Sequence, residues 1–432
     1  MAGGSSLDGA RVDGLWERVF SANNMARAVR RVQRNGGRPG ADGMTVDQLD
    51  DWLLSEWPGV LSLLESGRFE PSPLLRVEVP KPGGGRRLLG VPTVVDRVIG
   101  QAICHVLVPI FDPGFSGSSF GYRPGRSPQQ AVESARGHIA DGFGWVVSVD
   151  LDRFFDRVNH DMVLARVARR VADKRLLRLI RAYVDADVMV DGVRVPVEAG
   201  TPQGSPLSPL LSNVLLDDLD RELEARGHRF VRYADDIAIY VRSERAAQRV
   251  GESVTRWIEQ RLKLVVNREK TRITPAVGAT LLGFAFYRRR GSVRIRVAPG
   301  AITRMKQQIR RLTARSWGVS LPTRIAKLNQ FITGWVNYFG LADTVKLFTA
   351  TDQWLRRRLR QAVWEAWKNS TTRVRELRRL GANDRAIFAA VTHPGGSWRA
   401  SRRRVLNTTL TNQWWTRQGL IGFQAANRHR HT

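Results

Sequence analysis

The amino-acid sequence predicts an α+β domain followed by a mostly helical and strongly basic domain. Between residues 75 and 287, short β-rich runs alternate with stretches whose apolar residues fall at helical spacing. The last third of the chain has a mostly helical pattern and carries most of the positive charge. The chain has 432 residues, too many for one ordinary domain, and 42% of them are apolar, so packed cores can form and full disorder is excluded.

Charge and composition limit the possible partners. Residues 288–432 hold 30 Lys and Arg against 5 Asp and Glu, whereas residues 1–287 hold 39 against 35. This surplus predicts a polyanionic partner, and the interleaved Trp, Asn and Gln favour nucleic acid over a membrane surface. The single cysteine, Cys104, excludes a disulfide scaffold and a Cys-rich zinc module. Because no apolar run approaches about 18 residues and the N-terminus has no apolar signal core, we expect no membrane span and a cytoplasmic location.

The first part of the chain is predicted to be helical. Trp52, Trp57 and Leu61 fall on one helical face within residues 14–70, and a glycine-rich loop at residues 35–43 separates the helices. The alternating run that follows, Leu75 to Val79, predicts a strand that leads into a glycine-rich turn.

Two helices are predicted in the middle of the chain. Residues 161–184 predict one helix with Asp161 as its N-cap. Ser208 is predicted to cap another helix, with Pro209 at the first helical position and Gly227 ending it. The apolar stripe of this second helix consists of Leu211, Leu215, Leu219 and Leu223.

Adjacent carboxylates are the sharpest chemical feature of the sequence. Two β-rich runs flank residues 234–236 and predict a hairpin whose turn carries Asp235 and Asp236. Two adjacent acids in an apolar β context repel each other, and a divalent cation would supply the missing counter-charge. Asp150 directly follows the apolar strand predicted at residues 145–149. If that strand lies beside the hairpin, three carboxylates can hold two Mg²⁺ ions; otherwise they are an acidic turn and a strand end.

With these residues in view, the chain resembles a bacterial group II intron reverse transcriptase/maturase, of the kind that lacks an endonuclease domain. Residues 233–236 resemble the YADD box of that family, and residues 150–161 resemble its DLxxFFDxVNHD motif. A lone YxDD is a weak signal, but further motifs follow in the family's order over nearly the whole chain. They are residues 39–43, 80–92, 121–127, 201–209, 281–284, 334–339 and 352–359.

The resemblance implies a right-hand polymerase. Fingers and a palm with an antiparallel sheet would be followed by an α-helical thumb, or maturase domain, and a small basic C-terminal segment. The implied divisions are residues 1–75 for the N-terminal extension, 76–287 for fingers and palm, 288–380 for the thumb and 381–432 for a DNA-binding segment.

The resemblance also implies a role for individual residues. Asp150 and Asp235 would bridge two Mg²⁺ ions, and Asp236 would complete the acid cluster. Lys270 would protonate the leaving pyrophosphate, although a solvated lysine is equally consistent with its position.

The remaining implied roles concern the incoming deoxynucleotide. Lys81 and Arg87 would hold its triphosphate, and Gln203 would line its pocket. Phe155 would lie under the sugar and exclude a 2′-OH, while Phe154 would belong to the core.

A third group of residues is predicted to contact nucleic acid. The arginines of the basic segments would bind phosphates, with tryptophans of the same helices in the core rather than stacked on bases. A solvated face is the alternative for such runs. The predicted contacts are Arg123, Arg356, Arg357, Arg358, Arg360, Arg402, Arg403 and Arg404.

The sequence leaves more than one function open. The main hypothesis is an RNA-directed DNA polymerase that also binds its own intron RNA, assists splicing and copies the RNA into DNA at a target site. Its partners would be intron RNA, an RNA template, a DNA primer or target, and dNTPs; its oligomeric state is not predicted. The alternatives are a domesticated reverse transcriptase in defence and an RNA-binding splicing factor with a vestigial polymerase.

Overall fold

The computed structural model describes residues 11–80, 86–190, 193–195, 204–392 and 395–431, with the side chains of Arg87, Val193, His429 and His431 left out of the description. The chain divides into two compact units, Met1–Ala276 and Val277–Thr432. The division into four segments stays a prediction. The structure separates only two units, and the second unit includes both the predicted thumb and the predicted C-terminal segment.

The described part of the first unit is α+β. Its strands are β1 (Leu74–Pro80), β2 (Arg86–Val91), β3 (Trp145–Val149), β4 (Val188–Val190), β5 (Val193–Val195), β6 (Arg229–Tyr233), β7 (Asp236–Val241) and β8 (Arg272–Pro275). Its α-helices are α1 (Leu15–Phe20), α2 (Ala22–Asn35), α3 (Leu49–Glu65), α4 (Val94–Phe111), α5 (Pro128–Ala140), α6 (Phe154–Arg157), α7 (His160–Val167), α8 (Lys174–Val184), α9 (Ser208–Ala225) and α10 (Glu244–Trp257).

Two four-stranded sheets organise this unit. One has the order β2-β1-β4-β5 and contains the predicted strand, β1, paired antiparallel with β2. The other has the order β6-β7-β3-β8 and is antiparallel throughout, as expected for the palm. Helices α4 and α9 contribute many of the side chains in the large core cluster, including the whole predicted leucine stripe of α9. The antiparallel sheet therefore presents one end to solvent while helices cover it elsewhere.

The single helix predicted for residues 161–184 is wrong. The structure has α7, which Asn159 caps, and a separate α8, which Asp173 caps through the N–H groups of Arg175 and Leu176. The break occurs because Val171 pairs with Val12 in an isolated parallel bridge. A long-range contact therefore overrides the local helical pattern.

The helix at Ser208 differs from its prediction by one residue. Leu207 is the N-cap, Ser208 is already the first helical residue, and Pro209 is the second. The end is as predicted: Gly227 has φ +70°, a left-handed conformation that glycine adopts without strain, and its N–H donates to the Glu224 carbonyl.

One described helical stretch, Val94–Gly114, is long and apolar enough to cross a membrane by length and composition alone. About two thirds of its apolar window (67%) is buried inside the protein. The core helix of a folded domain, which is mostly buried, passes the same test of length and composition.

The second unit combines a small sheet with helices. Its strands are β9 (Thr280–Leu281), β10 (Phe284–Arg289) and β11 (Ser292–Val297), in the order β11-β10-β9. Its helices are α11 (Pro299–Leu312), α12 (Leu321–Phe339), α13 (Val345–Ala366), α14 (Ser370–Arg379), α15 (Asp384–Thr392), α16 (Ser397–Ala400), α17 (Arg404–Thr409), α18 (Asn412–Arg417) and α19 (Phe423–His431).

The C-terminal helix α19 packs against α12 and α13. Asp352 on α13 accepts hydrogen bonds from the N–H groups of Phe423 (2.8 Å) and Gln424 (3.1 Å), which lie in the first turn of α19. Phe423 also packs against the rings of Trp335 and Phe348. The end of the chain is thus held by a cap and an aromatic cluster.

Candidate active site

The strand register brings the three predicted carboxylates to one end of the antiparallel sheet. The last pair between β3 and β7 is Val149 with Ile237, so the residues that follow and precede them, Asp150 and Asp236, are neighbours at that end. Tyr233 pairs with Asp236 across the hairpin, which leaves Ala234 and Asp235 as its two-residue turn. The sequence prediction that the strand lies beside the hairpin is confirmed.

The electrostatics of Asp236 show that the acids interact. Loss of water around this carboxyl, together with the negative charges of Asp235 and Asp150, raises its pKa to about 6. Part of this shift is repulsion between the carboxylates. A cation at this place would relieve it.

The donor set fits Mg²⁺ in its chemistry. Carboxylate oxygens are the protein ligands Mg²⁺ prefers, and it normally takes few of them, completing its shell with water and substrate phosphates. Among the residues that the structure describes, no three His, Cys, Asp or Glu side chains converge into a ready-made metal cage. The arrangement therefore suits an ion shared with substrate better than a resident structural ion.

Lys270 lies beside this cluster. Its Nζ is 3.7 Å from the Asp150 Oδ2, and both side chains are more than one third exposed. The adjacent Thr271 accepts a hydrogen bond from the Asp150 backbone N–H at its Oγ1, at 3.3 Å. The geometry thus makes Lys270 a counter-charge for Asp150, and its role as proton donor to pyrophosphate stays a prediction.

The hairpin turn is held in an unusual conformation. Ala234 has φ +58°, a left-handed conformation that costs a residue with a side chain of the order of 1–2 kcal/mol. Gly121 stands directly against it, since a Cβ at Gly121 would lie 2.2 Å from the Ala234 nitrogen. The resemblance includes this glycine in a motif without assigning it a role, and the structure shows that only glycine fits there.

The predicted nucleotide pocket is described only in part. Lys81 and Gln203 lie outside the described residues, and Arg87 is described only by its backbone, paired with Val79 in the β1–β2 hairpin. Gly204 approaches β2 so closely that a Cβ there would lie 2.5 Å from the Gly90 carbonyl oxygen. The loop after Gln203 and the strand of Arg87 therefore meet in space.

Phe154 and Phe155 differ in burial, and Phe154 lies in the core as expected. Phe154 is fully buried in the core, whereas Phe155 is half-buried and packs edge-on against it, with ring centroids 5.2 Å apart. The preceding residue, Arg153, has φ +46°, which turns the chain sharply after Asp150 and starts α6. The contact of the Phe155 ring with the sugar stays a prediction.

The prediction that Arg123 contacts nucleic acid is wrong. Its side chain is 5% exposed and forms a salt bridge with Asp112 at 2.7 Å. Its guanidinium also donates to the carbonyls of Ser116, Ser119 and Asp112. With these donors engaged inside the protein, Arg123 holds the loop before Gly121 in place and does not bind phosphate.

The arginines of α13 are largely engaged within the second unit. Arg357 stacks on Trp398, with its guanidinium carbon 3.5 Å from the ring centroid, and Arg358 donates to the Thr313 hydroxyl at 2.6 Å. Burial lowers the pKa of Arg360 below its usual range, with a further contribution from neighbouring arginines. Half-buried, engaged cations are poor phosphate ligands, so the predicted contacts along this helix, including Arg356, remain predictions.

The arginines of the C-terminal segment differ among themselves. Arg402 and Arg404 are exposed, whereas Arg403 is half-buried, with its guanidinium 5.8 Å from the Trp364 ring centroid. Trp335 and Trp364 are buried, in agreement with the expectation that these tryptophans belong to the core. Arg402 and Arg404 are therefore the most accessible cations of the predicted set in this segment.

Comparison with known proteins adds family matches over about two thirds of the chain. Residues 79–286 match the reverse transcriptase (RNA-dependent DNA polymerase) family, and residues 302–381 match the group II intron maturase-specific domain. The first match includes all three carboxylates and both sheets of the first unit, except for residues 74–78 of β1. The second spans α12, α13 and α14.

The chain is also similar to individual proteins. Protein YkfC of Escherichia coli is 29% identical over 360 residues, 73% of this chain and 94% of that protein. The group II intron-encoded protein LtrA of Lactococcus lactis is 25% identical over 319 residues, and the chain spans about half of its length (53%). A solved chain of a partial Cas6-RT-Cas1–Cas2 complex is 27% identical with a TM-score of 0.37, covering 57% of this chain and 42% of that one. The chain thus combines a match to the reverse transcriptase family with a match to the group II intron maturase-specific domain, as the sequence resemblance implies.

Proposed function

We propose that the chain is the RNA-directed DNA polymerase and maturase of a group II intron: it binds the intron RNA, assists its splicing and copies RNA into DNA during retrohoming. The observation that carries this proposal is the register of β3 with the β6–β7 hairpin, which puts Asp150, Asp235 and Asp236 at one end of the sheet. The maturase-specific match in the same chain supports the RNA-binding half.

The chemistry proposed is attack of a primer 3′-hydroxyl on the α-phosphate of a dNTP, with pyrophosphate leaving. Asp150 and Asp235 would hold two Mg²⁺ ions, with Asp236 completing the acid cluster; such ions lower the pKa of an attacking hydroxyl and neutralise charge on the leaving oxygens. The residues of the chain then orient the reactants.

The fingers and the sugar contact would set substrate choice. Lys81 and Arg87 would bind the triphosphate and Gln203 would contact the nucleotide, while the ring of Phe155 would fill the space a ribose 2′-hydroxyl needs. The close approach of Gly204 to β2 supports a pocket assembled from both segments.

Primer extension on an RNA template with Mg²⁺ and dNTPs tests the proposal. The full chain is compared with the Asp235→Ala/Asp236→Ala variant, and binding of both proteins to the RNA is measured in parallel. We expect extension by the natural sequence alone, with similar RNA affinity for both. Tight RNA binding without extension by either protein would instead support a splicing factor with a vestigial polymerase.

A further inference from the structure

A fully buried ion pair lies directly behind the hairpin that carries Asp235. Arg232, on β6, and Asp220, on α9, both have 0% of their side chains exposed. The guanidinium meets the carboxylate through two hydrogen bonds, from Nε to Oδ1 at 2.7 Å and from Nη2 to Oδ2 at 2.5 Å. Such two-point pairing fixes both the position and the plane of the guanidinium.

The remaining donors of Arg232 reach the hairpin turn. Its Nη1 donates to the Asn213 Oδ1 at 2.8 Å and to the Ala234 carbonyl at 3.1 Å. That carbonyl belongs to the peptide that joins Ala234 to Asp235. Because a peptide is planar, holding its oxygen fixes the direction in which the chain enters Asp235.

Asn213 connects the same network to the glycine behind the turn. Its Nδ2 donates to the Gly121 carbonyl at 2.9 Å. The backbone of Arg232 exchanges hydrogen bonds with the same loop, accepting from the Phe120 N–H and donating to the Ser118 carbonyl, both at 2.9 Å. The left-handed Ala234 is therefore clamped between a glycine on one side and the guanidinium on the other.

We propose that Arg232 is a positioning residue for DNA synthesis: its guanidinium, oriented by Asp220 and Asn213, holds the Ala234 carbonyl and so aims the Asp235 carboxylate. The proposal rests on the polymerase activity proposed above for these carboxylates. Burying two charges has a large desolvation cost, and an apolar pair would stabilise the sheet at least as well. A merely structural role would thus not require this arginine, whereas a donor to a strained turn does.

A charge-free replacement separates positioning from stability. In Arg232→Met/Asp220→Leu both buried charges are removed together and apolar side chains fill the space, so the unfolding midpoint in urea should stay near that of the natural sequence. The Ala234 carbonyl loses its donor, and we expect kcat for primer extension to fall about 10- to 100-fold, as for a displacement of about 1 Å at a reacting group. KM for dNTP and Kd for primer–template should change less than about twofold.

A second measurement does not depend on activity. Amide hydrogen exchange of a peptide covering residues 230–238 should become faster in the double variant, because the turn loses its anchor. Arg232→Lys serves as a milder variant: it keeps the charge opposite Asp220, but its compact ammonium does not reproduce the planar fork. For this variant we expect a kcat and a hydrogen-exchange rate between those of the natural sequence and those of the double variant. It also keeps the test valid if the double variant unfolds.

The control is an ion pair between α7 and the same helix α9, whose carboxylate also meets the exposed Arg169 at 3.0 Å. Arg166 pairs with Asp218 on α9 at 2.7 Å and otherwise donates to the Met162 carbonyl, away from the hairpin. Arg166→Met/Asp218→Leu should leave kcat and the hairpin exchange unchanged.

Two results would overturn the positioning role. One is full activity in a stable Arg232→Met/Asp220→Leu protein. The other is a loss of activity across all variants that simply follows their unfolding midpoints. Failure of the natural sequence to extend a primer would instead contradict the proposed polymerase function, so the two failures are distinguishable.

Discussion

The hairpin of residues 233–236 and the arginine run of residues 356–360 are both dense in charge, yet the fold uses them in opposite ways. In the hairpin, the carboxylates of Asp235 and Asp236 stay at the end of the sheet, where each raises the energy of the other's charge. In the run, Arg357 and Arg358 turn to a tryptophan ring and a threonine hydroxyl of their own unit.

The difference follows from geometry. A two-residue turn between paired strands fixes its residues at the end of the sheet, where the sequence neighbours Asp235 and Asp236 stay close to each other. An arginine on a helix has a long stem that reaches aromatic faces on adjacent helices and a fork that bonds in several directions. A charge motif in a hairpin thus predicts function better than an arginine run in a helical domain.

The largest loss of activity is expected for a change in the carboxylates at the end of the antiparallel sheet. Asp150→Asn removes one negative charge and one metal ligand while keeping the shape of the side chain, so DNA synthesis should fall at least about 10³-fold. RNA affinity should change by less than a few fold. Single-turnover primer extension and filter binding measure the two quantities. Retention of a tenth of the activity would remove Asp150 from the metal-binding set.

The next largest effect is expected at the sugar contact. Phe155→Ala opens the space beside Phe154 that the half-buried ring occupies. Discrimination against ribonucleotides should fall about 10- to 200-fold, the range for a steric change in a pocket. The ratio of kcat/KM for dNTP and NTP measures it, with Phe154→Leu as a core control that should lower stability and leave the ratio alone. Unchanged selectivity would take Phe155 out of the pocket.

Smaller effects are expected for the arginines, and they should differ between exposed and internally engaged side chains. Arg402→Gln/Arg404→Gln removes two exposed cations, so the slope of log affinity for RNA against log salt should become less steep by about 1.5. Arg357→Gln/Arg358→Gln removes the same formal charge from engaged positions.

For this second pair we expect a slope change below about 0.5, and a loss of about 1–2 kcal/mol in the free energy of unfolding from the lost ring and hydroxyl contacts. Salt titration of RNA binding and urea unfolding distinguish the two pairs. An equal slope change for both pairs would mean that the internal contacts break when RNA binds.

The smallest effect concerns Asp352, the buried acid of α13. Burial raises its pKa above the usual value of an aspartate, despite the hydrogen bonds from Phe423 and Gln424. The folded protein therefore holds a proton more tightly than the unfolded chain, so this group's contribution to stability is full below about pH 4 and declines as the pH rises through the folded pKa.

Asp352→Asn should remove that decline. The difference in unfolding free energy between the variant and the natural sequence should grow in favour of the variant from pH 4 upwards, by at most about 1.4 kcal/mol per unit of pKa shift. Urea unfolding between pH 4 and pH 7 measures it. A difference that does not vary with pH would show that Asp352 titrates alike in both states.

The elements with strong local signals were predicted well. The strand at residues 145–149, the hairpin around Ala234 and Asp235, and the leucine stripe of α9 all appear in the structure. The one helix that was predicted across residues 161–184 failed because Val171 pairs with Val12, which lies far away in the sequence. Local periodicity carries no information about such a contact.

The functional residues also divide into those that the sequence indicates and those whose role depends on contacts made in the fold. The carboxylates are adjacent or follow an apolar strand, so residue type and spacing point to them directly. Arg123 was predicted to contact nucleic acid, but its partners Asp112, Ser116 and Ser119 meet it only in the folded loop. Nothing in the sequence separates Arg232 from an ordinary strand residue, because its partner Asp220 comes beside it only in the fold.

The sequence by itself determined the α+β order, the basic helical second part, the carboxylates and the family to which they point, because these depend on residue types at short separations. Only the tertiary structure decided which charges remain free for substrate and which are used inside the protein. Arg232 meets Asp220 and Arg357 meets Trp398 through the packing of separate elements. Whether a charge stays hydrated depends on what the fold brings beside it.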